Sequence, residues 1–283
     1  MRSPAQADLE IGIVGQGFVG RAIYKTFSRH YKVHTYDKKI DDYSTEESVS
    51  AVALNCDICF VCVPTPMNPD GSCNISIVEE VVKEVSEARP DTVIVIKSSV
   101  PPKTTQSLIK KYKSLIVFNP EFLLERNAVD DFRNTSRVIL GGPRKATTLL
   151  KRFYSKIFPK AHVIKTDSTI AELVKYLTNS FLAVKVSFAN EIYSMCRELD
   201  ADYDKVIEYA LWDERLGASH WGVPGPDGHY GFVASCFPKD LNAVLSLAKE
   251  LSVETPTIEG GWSTNLHVRP EKDWENLKGR AVL

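Results

Sequence analysis

The stretch "IGIVGQGFVG", residues 11–20, decides the fold of this chain because it joins a short apolar run to a glycine-rich turn. Its first half predicts a buried β-strand, and a helical pattern follows the turn. Gly15, Gly17 and Gly20 fit the pattern G-x-G-x-x-G, which gains meaning when it follows a strand and opens a helix. The chain therefore begins, by this prediction, with a strand–turn–helix unit.

The same alternation continues through the first half of the chain. Strand-like runs lie at residues 11–15, 32–37, 57–63, 92–98, 114–119 and 137–142. Helical patterns lie between them at about residues 18–30, 75–89, 103–111 and 143–157. The near-continuous Val and Ile content of the runs is typical of strands buried on both faces of a parallel sheet. We therefore predict an α/β fold with a doubly wound, parallel-sheet Rossmann domain.

The second half of the chain is mainly helical. A long pattern without Pro or Gly covers 167–199, a shorter helix follows at 202–212, and another covers 236–251. A glycine-rich loop, "GASHWGVPGPDGHYGF", lies before the last of these. We predict the following domains: a Rossmann domain at 1–166, a helical domain at 167–251 and a short tail at 252–283.

Composition excludes several classes of partner. The chain has 283 residues and a net charge of -1, which gives no general attraction to nucleic acid or to anionic membranes. No apolar run approaches the roughly 18 residues that a membrane span needs. The N-terminal "MRSPAQADLE" lacks the apolar region of a secretory signal. We therefore predict a cytoplasmic protein with no nucleic-acid or membrane partner.

The six cysteines predict reduced thiols rather than disulfides or a metal site. Cys59 and Cys62 form a C-x-x-C pattern, but this pattern lies within a predicted strand. Side chains three positions apart on a strand point to opposite faces, so these two thiols cannot share a metal ion. We predict buried strand thiols here and no metal.

The glycine-rich turn predicts a dinucleotide cofactor. Gly15 permits the tight turn, Gly17 lets the backbone approach a pyrophosphate, and Gly20 permits close packing of helix on sheet. Asp37 ends the next strand at about the spacing of a carboxylate that binds the adenine ribose, which favours NAD over NADP. The simpler alternative is a glycine-rich turn without a ligand.

Polar loops follow three successive predicted strands, at 63–71, 97–105 and 118–127. The carboxyl ends of strands in a doubly wound sheet form the ligand crevice. Each loop alone could be a connector, but together they predict a substrate site.

Six stretches in these loops and in the helical half carry a resemblance to a known family. They are "VPTP", "KSSVP", "NPEFLLE", "AELVKYLTNSFLAVKVSFANEI", "DERLG" and "SCFPKD". Over about residues 10–250 the chain resembles the UDP-glucose/GDP-mannose dehydrogenases, closest to their UDP-glucose branch. The resemblance implies oxidation of a nucleotide-sugar C6 alcohol to a carboxylate, with two NAD and one water. UDP-glucose is the preferred expectation, while UDP-galactose, GDP-mannose and UDP-N-acetylmannosamine remain open.

The resemblance makes Cys236 the nucleophile, which captures the aldehyde as a thiohemiacetal and carries the product as a thioester. A helix start and a neighbouring Lys239 would both lower the pKa of its thiol. The plain alternative is a cysteine that only packs. The implied catalytic residues are Cys236, Lys175, Asn179, Asp240, Glu121 and Ser99.

Their implied roles differ. Lys175 would stabilise an oxyanion, and Asn179, on the same helix face, would orient the sugar or water. Asp240 would hold the water, Glu121 would act as acid and base in thioester hydrolysis, and Ser99 would position water.

The resemblance also implies binding residues and a partner. The implied cofactor-binding residues are Gly15, Gln16, Gly17, Phe18, Val19, Gly20, Asp37, Val63, Pro64, Thr65, Ser99, Glu125 and Lys239. The implied substrate-binding residues are Glu121, Phe122, Leu123, Leu124, Lys175, Asn179, Arg215, Tyr230, Gly231 and Phe232. Arg215 would reach the nucleotide phosphates across a subunit interface, and the long helix predicts a homodimer.

Two features depart from the family pattern. Val233 and Ala234 stand where the family usually has Gly-Gly, and Val suits a positive φ poorly. The family usually continues with another nucleotide-binding domain, whereas residues 252–283 are too few for one. We therefore expect a short form, in which the tail or a partner subunit holds the nucleotide, or in which it is held weakly.

Two other functions stay open. A β-hydroxyacid dehydrogenase has a similar plan and a helix Lys, but it transfers a single hydride and needs no thiol. A binding or regulatory module that kept the NAD fold is the non-enzyme alternative. The combination of Cys236 with Glu121 favours the nucleotide-sugar dehydrogenase over both.

Overall fold

The chain divides into two compact units. The structure, a computed structural model, describes residues 9–283. Unit 1 comprises the described residues up to Thr65 together with Asn74–Lys175, and unit 2 comprises Pro66–Cys73 and Tyr176–Leu283. The N-terminal stretch, for which no secretory signal is expected, lies almost entirely outside the described residues.

Within the described residues, unit 1 is built on a seven-stranded sheet. Its strands are β1 (Ile11–Val14), β2 (Val33–Tyr36), β3 (Ile58–Val61), β4 (Val93–Ile96), β5 (Leu115–Phe118), β6 (Arg137–Gly141) and β7 (His162–Thr166). They lie in the order β2-β1-β3-β4-β5-β6-β7. Every neighbouring pair is parallel except β5 and β6, which are antiparallel. The predicted Rossmann-type fold class is therefore confirmed.

Both faces of the sheet are buried, as its continuous apolar runs predict. In β4, Ile94 and Ile96 pack into one hydrophobic cluster, while Val93 and Val95 pack into the cluster on the other face. This alternation follows from the two-residue period of a strand. Burial of each such side chain contributes about 1.5–3 kcal/mol, so both layers of helices are held to the sheet.

Helices cover the two faces. Those of unit 1 are α1 (Phe18–Phe27), α2 (Val49–Leu54), α3 (Ser76–Ala88), α4 (Thr104–Tyr112), α5 (Ala128–Arg133), α6 (Arg144–Ile157) and the first residues of α7 (Ser168–Glu198). Short 3₁₀ turns occupy Asp41–Tyr43 and Glu125–Asn127. The Phe27 ring of α1 packs on Phe60, Phe132 and Phe153, with ring centroids 5.0–5.5 Å apart. These aromatic contacts join α1, α5 and α6 to the sheet.

The two thiols of the C-x-x-C pattern differ in burial, since Cys59 lies in β3 and is fully buried, whereas Cys62 follows the strand and is half-buried. Cys59 packs into one hydrophobic cluster, and Cys62 lies against the cluster on the opposite face of the sheet. The six cysteines form no disulfide. No group of acidic, His and Cys side chains suited to a metal ion occurs in residues 9–283.

Three elements of unit 1 escaped prediction. β7 is an edge strand whose side chains are mostly exposed, so it lacks the buried apolar run that marks the other strands. α2 and α5 have six residues each, which is too short for a clear helical period. α2 instead depends on a local signal, since the Ser48 hydroxyl accepts a hydrogen bond from the Ala51 N–H at 3.1 Å.

Unit 2 is mainly helical, as predicted. It contains the rest of α7, α8 (Tyr203–Ala210), α9 (Phe237–Glu250) and α10 (Pro256–Val268), with 3₁₀ turns at Glu214–Leu216 and Asp273–Asn276. Ala183 of α7, Leu241 of α9 and Phe232 of the preceding loop form its central apolar cluster. None of the helices in the described part of the chain has the length and hydropathy of a membrane span.

The tail is more ordered than its polar sequence indicates. α10 occupies much of it, and the fully buried Trp274 lies 5.3 Å from the Trp262 ring. The Met67 N–H donates to the Ala281 carbonyl oxygen at 2.9 Å, and the Leu283 N–H donates to the Met67 carbonyl oxygen at 3.2 Å. The last residues are thus tied to the strap 66–73 within unit 2.

Candidate active site

The glycine-rich turn between β1 and α1 leaves room for a ligand. Gly15 has a φ of 95°, and a Cβ there would lie 2.6 Å from the Cys62 carbonyl oxygen. A Cβ at Gly20 would lie 1.9 Å from the Gly15 carbonyl oxygen, so α1 packs against the turn too closely for a side chain. A Cβ at Gly17 would meet no atom within 4 Å. The open side of the turn therefore lies beside the first N–H groups of α1, which suits a pyrophosphate.

Two polar side chains flank this turn. Gln16 is fully buried, and neither its Nε2 nor its Oε1 has a hydrogen-bond partner among the described residues. Leaving such groups unpaired costs about 1–3 kcal/mol each, which a bound dinucleotide or water would relieve. The Asp37 carboxylate accepts hydrogen bonds from the Gln16 N–H at 2.6 Å and the Lys39 N–H at 2.8 Å. The residues present at this turn therefore fit NAD.

The other proposed cofactor residues of unit 1 follow neighbouring parts of the sheet. Phe18 and Val19 open α1 and lie against the apolar cluster behind it. Val63 and Thr65, after β3, are buried, and the Ser98 hydroxyl donates to the Val63 carbonyl oxygen at 2.6 Å. The remaining proposed cofactor residues of unit 1 are Pro64, Ser99 and Glu125. Ser99 is buried after β4, and Glu125 is the first residue of a 3₁₀ turn.

Glu121 and Lys175 form a buried ion pair within unit 1. The Lys175 Nζ donates to Glu121 Oε1 at 2.8 Å and to the Glu121 carbonyl oxygen at 2.7 Å. Glu121 Oε2 accepts a hydrogen bond from the Leu123 N–H at 2.7 Å. The two charged side chains are 7% and 4% exposed. An ammonium group and a carboxylate held out of water in this way can move a proton or stabilise a developing oxyanion.

The segment around Glu121 lines a cavity of about 410 Å³, within the usual range of small-molecule sites. The Phe122 ring centroid lies 4.2 Å from the Arg137 guanidinium carbon and 5.6 Å from Lys175 Nζ. Leu123 lines the cavity, whereas Leu124 is exposed. Cation–π contacts on Phe122 therefore help to hold the segment.

A second polar cluster lies within unit 2. The Asn179 Nδ2 of α7 donates to Asp240 Oδ2 at 2.6 Å, and the Lys239 Nζ donates to Asp240 Oδ1 at 2.5 Å. All three side chains are buried. Burial alone lowers the pKa of Lys239, but the negative charge of Asp240 and its hydrogen bond to Lys239 help to outweigh burial and raise that pKa above its ordinary value. Lys239 is therefore a firmly charged group beside the thiols of Cys73 and Cys236.

Cys236 is the N-terminal cap residue of α9 and is half-buried. Pro238 in the first turn favours a helix start at this point, and Asp240 follows in the same turn. The sequence thus places the thiol, the ammonium group and the carboxylate within one turn of helix. A helix start is a position at which unpaired backbone N–H groups favour a negatively charged side chain.

The loop before Cys236 is fixed by two buried asparagines. The Gly231 N–H donates to Asn190 Oδ1 at 3.2 Å, and the Phe232 N–H donates to Asn265 Oδ1 at 2.7 Å. Gly231 has a φ of 68°, and a Cβ there would lie 2.4 Å from Asn265 Oδ1. Tyr230 is partly exposed beside it. Glycine is therefore required where the backbone meets Asn265.

Arg215 stands apart from these clusters. It is exposed and forms an ion pair with Asp213 at 2.5 Å. Close by, the Lys185 Nζ donates to the carbonyl oxygens of Leu216 and Gly217, each at 2.9 Å. The proposed contact of Arg215 with nucleotide phosphates across a subunit interface stays a prediction.

The proposed site residues therefore fall into groups within each unit. Unit 1 brings Glu121 together with Lys175, and it brings Asp37 to the glycine-rich turn. Unit 2 brings Asn179 together with Asp240 beside Cys236. Three buried residues were missed by the sequence analysis: Lys97, Glu172 and Asn265.

Glu172 shows why such residues are hard to find. Its carboxylate accepts hydrogen bonds from the Lys103 N–H at 2.7 Å and the Thr105 N–H at 2.8 Å, at the start of α4. Burial raises the pKa of Glu172 to about 7. Its neighbours on the same helix face include Ser168, Lys175 and Tyr176, so no hydrophobic pattern marks Glu172 as buried.

Two family models match most of the chain. Residues 32–160 match the NAD binding domain of the UDP-glucose/GDP-mannose dehydrogenase family. Residues 169–267 match the central domain of the same family.

Proteins and solved structures similar to this chain include UDP-glucose dehydrogenases. The chain is 33% identical over 242 residues to UDP-glucose 6-dehydrogenase of Rickettsia bellii, covering 79% of this chain and 55% of that protein. It is 35% identical over 231 residues to UDP-glucose 6-dehydrogenase TuaD of Bacillus subtilis, covering 78% and 48%. A solved UDP-glucose dehydrogenase from Pyrobaculum islandicum has a TM-score of 0.85 at 28% identity, covering 94% of this chain and 70% of that one. The chain spans about half the length of the curated relatives it matches.

Proposed function

Because this chain belongs to the UDP-glucose/GDP-mannose dehydrogenase family, we propose that it oxidises a nucleotide-sugar C6 alcohol to a carboxylate with NAD. UDP-glucose is the proposed preferred substrate and UDP-glucuronate the product, in line with the activity named for its relatives. The proposal concerns the activity of the whole protein, because the matched region covers only about half the length of these relatives.

One observation carries the proposal. Cys236 is the N-cap residue of α9, three residues before Lys239 and four before Asp240, whose buried carboxylate accepts hydrogen bonds from Lys239 and Asn179. A packing cysteine has no need of a buried ammonium group and a buried carboxylate in the next helical turn. A thiol that must become a nucleophile needs both a cation to favour the thiolate and polar groups to hold water.

The proposed role of Cys236 follows from the aldehyde that the first oxidation produces. NAD, when bound, would accept a hydride from C6 in each of the two oxidations. The Cys236 thiolate adds to the aldehyde carbon, and the carbonyl oxygen takes up the negative charge. Loss of the second hydride from this thiohemiacetal leaves a thioester. Water then attacks the carbonyl carbon, and the thiolate leaves as the carboxylate forms.

In this proposal Lys175 stabilises negative charge on the sugar oxygen, and Glu121 accepts a proton. The Lys175 ammonium group stabilises the negative charge on the C6 oxygen at each addition. Glu121 accepts a proton from the attacking water, since its carboxylate is the proton acceptor hydrogen-bonded to Lys175. Asp240 and Asn179 orient the water, and Ser99 supplies a further hydroxyl for positioning.

We also propose a homodimer formed through α7. Several large apolar side chains lie exposed along this helix, including Leu177 at 70% and Phe181 at 64%. Phe188 and Met195 continue the same face at seven-residue steps. An exposed apolar stripe of this length is typical of a protein–protein interface. A second copy of the chain fits because the stripe lies along a single long helix, and two such helices can pack together.

The proposed activity is tested by the number of NADH molecules formed per sugar consumed. The purified protein is incubated with excess NAD and limiting UDP-glucose, UDP-galactose, GDP-mannose or UDP-N-acetylmannosamine. We expect two NADH per sugar, with the highest kcat/KM for UDP-glucose. Cys236→Ser should lose at least roughly three orders of magnitude in uronate formation, because the nucleophile is gone.

The control is Cys196→Ala, a buried packing cysteine of the same unit, which should keep the wild-type stoichiometry. One NADH per substrate without dependence on Cys236 would instead indicate a β-hydroxyacid dehydrogenase. Binding of NAD without any turnover would indicate the non-enzyme alternative.

A further inference from the structure

Lys97 is a buried lysine that the sequence analysis did not assign to the site. It follows β4 directly, and only 4% of its surface is exposed. Its Nζ donates to Asn119 Oδ1 at 3.0 Å and to the Pro120 carbonyl oxygen at 3.5 Å. Both acceptors are neutral, and Lys97 makes no ion pair with any described residue. Such burial of an ammonium group is costly, so it needs a reason beyond packing.

The acceptors of Lys97 form the turn that leads into Glu121. Asn119 Oδ1 also accepts a hydrogen bond from the Tyr154 hydroxyl at 2.5 Å, and Asn119 Nδ2 donates to the Ile139 carbonyl oxygen at 2.8 Å. The turn is therefore fixed from three sides: by Lys97, by α6 and by β6. The next residue, Glu121, presents both its carbonyl oxygen and its carboxylate to Lys175.

The charges of the three residues depend on one another. Burial lowers the pKa of Lys97 to about 8, the neighbouring positive charge of Lys175 also lowers this pKa, and the negative charge of Glu121 raises it. Two buried ammonium groups thus act on the single carboxylate of Glu121. Loss of that negative charge would make the Lys97 proton easier to release.

We propose that Lys97 is a positioning residue for the Glu121–Lys175 pair, because it fixes the turn that carries Glu121 and places a second buried ammonium group at the same cavity. This inference rests on the proposed function, in which Glu121 must begin hydrolysis as a proton acceptor. Lys97 therefore helps to hold the Glu121 carboxylate in the position from which it can accept a proton from water.

The other titratable groups around Lys97 do not account for a change of charge near neutral pH. Burial raises the pKa of Cys62 to about 12 and raises that of Tyr154 as well, so both stay protonated. Asp131 and Arg137 line the same cavity from its more exposed rim. The groups facing Lys97 are Cys62, Glu121, Asp131, Arg137, Tyr154 and Lys175.

The kinetic test compares Lys97→Met, which removes charge and hydrogen bonds, with Lys97→Gln, which removes charge and keeps a donor. In both variants we expect kcat for UDP-glucose to fall roughly ten- to a hundredfold, with a much smaller change in KM. The wild-type decline near pH 8, where Lys97 loses its proton, should disappear. Lys110→Met, an exposed lysine of α4, is the matched control.

A second measurement does not depend on activity. The side-chain resonances of isotope-labelled lysine are followed by NMR as a function of pH, with Lys97 assigned from the Lys97→Met spectrum or, if that variant does not fold, by triple-resonance assignment. We expect Lys97 to titrate near pH 8 in the wild type and at lower pH in Glu121→Gln. The inference would be overturned if Lys97 titrated like an ordinary lysine and its pKa did not change in Glu121→Gln. It would also be overturned if the pH profiles of kcat were unchanged in both Lys97 variants. If the wild type turned over no nucleotide sugar, the proposed function would fail, and the titration would still decide the electrostatic link between Lys97 and Glu121.

Discussion

Ala234 carries backbone strain two residues before the proposed nucleophile. Its φ is 72°, a region that an L-residue with a Cβ enters at a cost of about 1–2 kcal/mol. Val233, the other residue that replaces a family glycine, has no positive φ. The expected conflict at this Gly-Gly position therefore falls on Ala234 alone, and a β-branched residue at 233 is tolerated.

Ala234→Gly should stabilise the protein. A glycine adopts the left-handed region without steric cost, although it loses about 0.5–1 kcal/mol in conformational entropy. The net expectation is an increase of roughly 0.5 kcal/mol in the free energy of unfolding, measured by urea denaturation. The matched control is Ala201→Gly, an exposed loop alanine without a positive φ, which should lose stability. Equal losses in both variants would show that Ala234 is not strained in solution.

At the scale of single residues, motifs predict chemistry better than they predict contacts. Lys175, Asn179 and Asp240 could be picked from the sequence because they sit in family-like stretches. The contact of Asn265 with the loop before Cys236 joins residues 33 positions apart, and no local pattern encodes it. Lys97 was likewise visible only as part of a polar loop, since its burial depends on the packing of three strands and α6.

Helix α7 exposes large apolar side chains that a partner protein could bury. Exposed Leu177, Phe181, Phe188 and Met195 cost stability in water, and burial of each would return about 1.5–3 kcal/mol. The exposed apolar side chains and the length of the helix both favour a second copy of the chain.

Phe181→Asp should break this interface. We expect the wild type to have the mass of a dimer in light scattering at micromolar concentration and the variant to have the mass of a monomer, because the new carboxylate would have to be desolvated. Leu251→Asp, at an exposed leucine just after α9, should remain dimeric. A monomeric wild type, or a dimer that tolerates Phe181→Asp, would contradict the proposed interface.

Helices and strands could be predicted where their burial imposes a clear hydrophobic pattern on the sequence. β1, β3 and β4 are buried at every position, and the long α7 has many turns, so their patterns stand out. β7 could not be found because its exposed edge position imposes no apolar run on the sequence. α10 was also missed, since its apolar and glycine residues follow no clear helical face.

At the scale of the molecule, the sequence predicted the class of each half, and the predicted domain boundaries stay predictions. We continue to propose a domain boundary after Thr166, where β7 ends, and a separate tail from residue 252. The compact units divide within α7, after Lys175, and the tail belongs to unit 2. Periodicity cannot locate such a division, because one uninterrupted helix contributes to both units.

The central claim is that Cys236 holds the sugar covalently between the two oxidations. Wild-type and Glu121→Gln proteins are mixed with UDP-glucose and NAD, quenched in acid, digested and examined by mass spectrometry. We predict a nucleotide-sugar acyl adduct on the peptide that contains Cys236, more abundant in Glu121→Gln because water attack is slowed, and removable by hydroxylamine. Full production of two NADH per sugar with no adduct on Cys236 in either protein would contradict the account.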